Sequence, residues 1–155
     1  MTNPIHFRQG QKTDQSVIVE FQTRMALETE GLRLDPPTVS LGVQAVLEDA
    51  HKGVYWIAES PSEPRQVIAV LLTIPEWSDW RNGTVVWIHS LYVLPNFRKS
   101  GVFRQMYDQL KAKVQADPGL KGIRLYVDRG NHAAQKVYES LEMNSDHYHL
   151  YEWLK

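Results

Sequence analysis

The sequence predicts an α/β protein built on a mixed, mostly antiparallel sheet that holds one parallel strand pair and carries helices on both faces. Three observations predict it. Apolar segments of period two and of period 3.6 interleave along the 155 residues instead of segregating into halves. The apolar segments 84–93 and 123–127 are separated by an amphipathic helical stretch, which makes them parallel neighbours. Asn82-Gly83 lies between two strand-like runs and signals an antiparallel hairpin.

The elements follow in order. Residues 5–8 (IHFR) alternate like a short strand. Asp14 is placed to cap a helix in which Ile18, Phe21, Met25 and Ala26 recur at helical spacing, and Gly31 is its expected stop. RLDPPT breaks the chain. A second helix is expected over 39–51, with Val43, Val46, Leu47 and Ala50 on one side and Gly53 after it. VYWIAE (54–59) reads as a strand, SPSEP as a turn, and VIAVLLTI (67–74) as a strand apolar on both faces. TVVWIHSLYV (84–93) returns as its partner. After Gly101, Val102, Phe103, Met106, Tyr107, Leu110 and Val114 form one helical stripe, which DPG (117–119) ends. A strand at 123–127, a helix at 132–141 and a final strand at 147–153 (HYHLYEW) complete the order β-α-α-β-β-β-α-β-α-β.

Composition narrows the function classes. A 43% hydrophobic, 23% charged chain of this length is one globular domain, expected to span residues 1–155. A formal net charge of −1 argues against a general nucleic-acid or membrane-surface binder. No apolar run approaches the roughly 20 residues of a membrane span, and the N-terminus lacks an apolar signal core, so a cytoplasmic location is expected. With no cysteine, disulfides, thiolate metal sites and cysteine nucleophiles are excluded. His147 and His149 share a strand face but lack a third ligand nearby in sequence, so no metal is expected.

The informative stretch is LYVLPNFRKSGVF, a strand that runs through a basic loop straight into a helix. Taken alone, Arg98, Lys99, Ser100 and Gly101 could form a solvated turn. They could equally form an anion site. A helix N-terminus offers unpaired N–H groups and the positive end of the dipole, Gly101 admits close approach, and Arg98, Lys99 and Arg104 add countercharge. A Walker A loop and a Gly-x-Gly-x-x-Gly fingerprint are both missing from the sequence.

Together with NHAAQKVYESLEM later in the chain, this stretch resembles the GNAT family, the GCN5-related N-acetyltransferases, over essentially the whole length. Two places carry the resemblance. The family's Gln/Arg-x-x-Gly-x-Gly/Ala pyrophosphate loop falls on Arg98 to Phe103, and Asn131 starts a helix with Tyr138 seven residues on. The chain departs from the pattern at Phe103, where the family usually has Gly or Ala, and at Glu142, where it often has Gly.

The resemblance implies the GNAT fold, with the parallel strands splayed and the acyl-CoA arm inserted between them. It implies acetyl-CoA as co-substrate, its pyrophosphate held by Arg98, Lys99, Ser100, Gly101, Val102, Phe103 and Arg104, and its pantetheine arm by Leu91, Tyr92 and Val93, with Asn131 also on the cofactor side. Tyr138 matches the tyrosine that donates a proton to the leaving sulfur; its bland alternative is a packed core tyrosine.

The general base is open. His89 is one candidate, since histidine titrates near neutrality, against the alternative of a histidine packed between strands; a water relay or Glu28 or Glu30 are others. Tyr126 stands where some members carry a glutamate, and no tyrosine is a base at neutral pH. Glu28, Glu30, Trp77 and Trp80, with Tyr126, would border the acceptor pocket, where carboxylates and aromatics suit a cationic amine. The implied function is direct acetyl transfer from acetyl-CoA to a primary amine of a small molecule or peptide in a ternary complex, with no covalent intermediate. A non-catalytic acyl-CoA-binding sensor or partner domain on the same fold is the alternative. Many family members are homodimers, so a homodimer is compatible with the reading.

Overall fold

A computed structural model describes residues 4–155, and they fall into two compact units, residues up to 125 and residues 126–155. The first unit holds β1 (His6–Gln9), α1 (Gln15–Glu30), α2 (Pro36–Glu48), β2 (Val54–Glu59), β3 (Val67–Ser78), β4 (Gly83–Val93), α3 (Val102–Ala116) and β5 (Leu120–Leu125). The second holds α4 (His132–Glu139). The five strands lie in the order β1-β2-β3-β4-β5. The first four are antiparallel neighbours and β5 joins β4 in parallel, as expected of two strands joined through a helix.

The core on the α1–α2 side is built from Ile18 and Phe21 of α1, Val43 of α2 and Tyr55, Ile57, Val70, Leu72 and Tyr92 of the sheet. Strand alternation sends Ala69 and Leu71 to the opposite face. Both are fully buried, as are Val102, Met106, Tyr107 and Leu110 on the apolar stripe of α3. Helices therefore cover both faces.

Local boundaries moved for physical reasons. Asp14 does not cap α1 with its side chain. It accepts instead from the Gln11 N–H at 2.7 Å and takes a bidentate pair from Arg8 at 2.8 and 2.9 Å. Arg8 also reaches Glu59, which His6 contacts at 2.9 Å, so one ion cluster joins β1, β2 and the start of α1. RLDPPT does not merely break the chain. Asp35 accepts from the Thr38 N–H and a proline takes the first helical position, so α2 starts at Pro36 rather than 39 and ends at Glu48 rather than 51.

β3 runs four residues further than the apolar run, through Pro75 to Ser78. Pro75 is tolerated because β2 pairs with β3 only as far as Thr73, so the missing N–H faces no partner strand. The hairpin forms, but across the four residues 79–82, with Asn82 left-handed at φ 46°. Gly83 is required there, because a Cβ would lie 2.7 Å from the Gly119 carbonyl oxygen. β5 begins at Leu120 and ends at Leu125, shifted from the expected 123–127.

The final strand expected at 147–153 is not formed. Its alternation is real, but a strand exists only where its N–H and C=O groups meet a partner ladder. None of the five strands pairs with it, and Tyr148, Leu150, Tyr151 and Trp153 stand exposed.

Candidate active site

β4 is the element on which the site rests. Its pairing with β5 runs from Thr84 to Ile88 and stops there, while β4 continues to Val93. On the other side β4 stays paired with β3 throughout. The Leu94 N–H donates to the Ile68 carbonyl at 2.9 Å, so by alternation Tyr92 turns its backbone groups to β3, and Leu91 and Val93 turn theirs to the edge that β5 has left. An extended amide chain could add itself to that edge as a strand does.

The β3–β4 register slips between Leu72 and Thr73, which face Ser90 and Ile88. His89 is the extra residue of this bulge. Bulges re-aim side chains beside active sites, and His89 is exposed here, not packed between strands. Neighbouring Ser90 accepts a long hydrogen bond from Gln22 of α1 at 3.4 Å.

Beyond Val93 a 3-10 turn (Pro95–Phe97) leads into the basic loop. Lys99 and Gly101 both sit in the left-handed region, at φ 60° and 78°. Those two residues reverse the chain so that α3 starts directly at Val102, and no side chain caps that end. Ser100 is not a cap because its hydroxyl donates to the Phe97 carbonyl at 2.6 Å. A helix start without a side-chain cap, preceded by left-handed turns and flanked by Arg98, Lys99 and Arg104, has the donor set an anionic diphosphate needs. The residues present therefore fit the phosphates of an acyl-CoA. Val102 is buried, Arg104 is exposed, and Phe103 is half-buried with its ring 6.1 Å from that of Tyr107. The Phe103 ring thus follows the apolar stripe of the helix.

A cavity of about 260 Å³ lies between the end of α1 and this loop, lined by Met25, Glu28, Thr29, Leu91, Tyr92, Val93 and Arg98. Glu28 is not an open carboxylate. One oxygen accepts from the Tyr92 hydroxyl at 2.7 Å and the other pairs with Arg98 Nη2 at 2.7 Å. The Tyr92 hydroxyl, and then the Arg98 guanidinium, hold Glu28 below the usual carboxylate value. Burial and the Glu28 carboxylate push the Tyr92 phenol up. Arg98 Nε meanwhile donates to the Val93 carbonyl at 2.9 Å, and its guanidinium lies 5.3 Å from the centre of the Tyr92 ring. Met25 was read from sequence only as part of the helix's apolar spacing and Thr29 not at all, although positions 25, 28 and 29 share one face of α1.

The remaining predicted residues are less gathered. Glu30 is exposed at the end of α1. Trp77 and Trp80 stand 65% and 90% exposed at the β3–β4 hairpin. Glu76 beside them pairs with Arg124 at 2.9 Å, and Arg124 lies over the Trp87 ring.

In the second unit Tyr126 is exposed. Asn131 caps α4 by accepting from the Ala134 N–H at 3.1 Å. Gln135 secures the preceding turn by donating to the Asp128 and Arg129 carbonyls. Tyr138 is half-buried, and burial pushes its phenol up. Glu142 takes a left-handed φ of 66°, the conformation for which glycine is usual. Among the described residues no group of three or more His, Asp or Glu side chains could hold a metal ion. No helix among them is long and apolar enough to cross a membrane.

Residues 22–143 match the model of the acetyltransferase (GNAT) family. The chain belongs to the GNAT family. Among solved structures, a possible acetyltransferase from Clostridium difficile 630 is 36% identical, with a TM-score of 0.89 over 98% of both chains. Aminoglycoside N-acetyltransferase AAC(6')-Iy in complex with CoA is 16% identical, with a TM-score of 0.75 over 97% of this chain and 95% of that one. A ribosomal-protein-alanine N-acetyltransferase from Brucella melitensis biovar Abortus 2308 is 12% identical, with a TM-score of 0.74 over 97% and 99%. The last two share the fold. A comparison with curated proteins returns no match. Membership of this family makes the protein an acyltransferase.

Proposed function

We propose that this GNAT protein transfers an acetyl group from acetyl-CoA to a primary amine of a small molecule or peptide, by direct attack in a ternary complex. The observation that carries the reading is the open edge of β4 at Leu91 and Val93, running straight into the uncapped, left-handed approach to α3. One part suits an extended chain with amides, and the next suits a diphosphate. The aminoglycoside and ribosomal-protein N-acetyltransferases that share the fold act on amines by name, which supports an amine acceptor.

In this reading Leu91 and Val93 bind the pantetheine arm, and Lys99 to Arg104 bind the diphosphate. The acceptor amine must first give up a proton. His89, exposed by its bulge, is the side chain proposed to take it. The amine nitrogen then attacks the thioester carbonyl carbon, and the new C–N bond places negative charge on the oxygen. The Leu91 N–H, on the open edge, is the proposed donor to that charge. Collapse breaks the C–S bond, the Tyr138 hydroxyl supplies the proton to the leaving sulfur, and the proton that the nitrogen sheds as the amide forms restores the phenol.

Turnover decides between this reading and a CoA-binding sensor. A panel of polyamines, aminoglycosides, amino acids and N-terminal peptides is incubated with acetyl-CoA, and thiol release is followed. Acetylation of any amine supports the proposal, and tight CoA binding with no turnover on the whole panel favours the sensor. For an amine that turns over, the rising limb of kcat/KM against pH should disappear in His89→Gln. A limb that persists passes the role to a water relay or Glu30.

A further inference from the structure

The Arg98 guanidinium has two partners that acyl transfer would need elsewhere. Its Nε caps the Val93 carbonyl, an acceptor on the open edge of β4, and its Nη2 holds Glu28 on the last turn of α1. Arg98 is also the first residue of the basic loop at the start of α3. Bound as described, it cannot also give a diphosphate its full fork of donors, because Nε and Nη2 are both engaged. The Glu28 pair is half-exposed on both sides and so holds weakly. A dianionic diphosphate next to the loop offers the same guanidinium a stronger partner.

We propose that Arg98 is an exchangeable charge. Without an acyl donor it latches α1 to the loop through Glu28 and covers the Val93 carbonyl. The donor's diphosphate draws it off both, so donor binding itself uncovers the Val93 carbonyl for the pantetheine arm and loosens the end of α1. Glu28 is then a positioning residue that competes with the donor for Arg98, not a ligand of the acceptor in the donor-free protein. Of its two partners in the donor-free protein, the Glu28 carboxylate then keeps only the Tyr92 hydroxyl, so the end of α1 is tethered more loosely. This inference rests on the acyl-CoA reading of the site.

The test is a double-mutant cycle on CoA affinity by calorimetry, with melting temperatures as folding controls. Glu28→Gln should bind CoA about two- to fivefold more tightly than the parent, the worth of losing one exposed competing pair. Arg98→Gln should bind it more weakly, and the gain from Glu28→Gln should vanish in the Arg98→Gln background. A merely structural Glu28 would give no such dependence on Arg98. Glu28→Gln with unchanged or weaker CoA binding overturns the inference while leaving the acyl-CoA reading intact. A parent protein that binds no CoA sinks both.

Amide hydrogen exchange gives an independent readout with the opposite sign from ordinary ligand protection. Exchange over the last turn of α1 should speed up when CoA binds, and in Glu28→Gln it should be fast from the start. Protection of that turn by CoA in the parent overturns the latch.

Discussion

Single residues set how charge is held in this protein. Asp14 is buried and takes both guanidinium nitrogens of Arg8, and those bonds hold its carboxyl below the ordinary value, against the opposing effect of burial. For Glu59 burial pushes up, but the donors from Arg8 and His6 outweigh it and the net shift is down. A carboxylate with a lowered folded pKa stabilises above its unfolded pKa of about 4 and loses that contribution as the pH falls through its folded value. Asp14→Asn should therefore cost about 2 kcal/mol in urea unfolding at pH 7. The gap to the parent should shrink as the pH drops below about 4, where Asp14 of the unfolded chain takes up a proton, and close only once the pH has fallen through the lowered value of the folded protein. No gap at pH 7 would mean that Glu59 alone satisfies Arg8, and a gap that stays constant to the acid limit would mean that the cost does not come from the ionised carboxylate. Tyr138 is the residue whose change tests the proposed chemistry. Tyr138→Phe keeps the half-buried ring and removes the hydroxyl. With chemistry limiting, kcat should fall by roughly 10- to 10³-fold, less than the full worth of a general acid because a thiolate is a stable leaving group. KM for acetyl-CoA should stay within a few-fold. Full kcat in the folded variant makes Tyr138 a packing residue.

At the scale of elements, the approach to α3 depends on backbone conformation more than on side chains. Lys99 at φ 60° and Gly101 at φ 78° lead directly into α3, whose first turn has no side-chain cap. Gly101→Val places a branched Cβ in a left-handed conformation, at a cost of roughly 1–2 kcal/mol, and puts bulk where phosphates approach. CoA binding by calorimetry should weaken at least about tenfold in a variant that still melts cooperatively. Unchanged affinity would move the phosphate site off this loop. Phe103 does not stand in the way. Its half-buried ring lies along Tyr107, on the apolar stripe of α3. β4 shows the complementary logic. It is paired on both sides up to Ile88 and only on the β3 side beyond, so one strand serves first as sheet interior and then as an open edge.

At the scale of the whole molecule, a donor that binds only the folded state must raise its stability by mass action. CoA at about 100 times its dissociation constant should add about 2.7 kcal/mol. For a protein of this size that is a rise in Tm of roughly 5–10 °C. Gly101→Val should need a proportionally higher CoA concentration for the same shift. A Tm indifferent to CoA at millimolar concentration would contradict donor binding by the folded chain.

Much of this was legible in the sequence because period, punctuation and loop chemistry are local. The alternation in 54–59, the stripe after Gly101 and the helical pattern from His132 each depend on residues within a turn or two, and the structure forms all three elements. The parallel β4–β5 pair followed from the helix between them. Tertiary structure decided whatever needed a distant partner. HYHLYEW has the period of a strand but no ladder to join, so it is not one. Pro75 ended the expected strand early on local grounds, yet β3 passes through it because β2 has already stopped alongside. Asp14 looked like a cap until Arg8 claimed its carboxylate. Glu28 looked like an open carboxylate for a cationic acceptor, but Arg98, seventy positions away, is already paired with it. Charge and hydrogen-bond partners across such separations are chosen by the packed chain, since sequence spacing fixes only which side chains share a face and not which will meet.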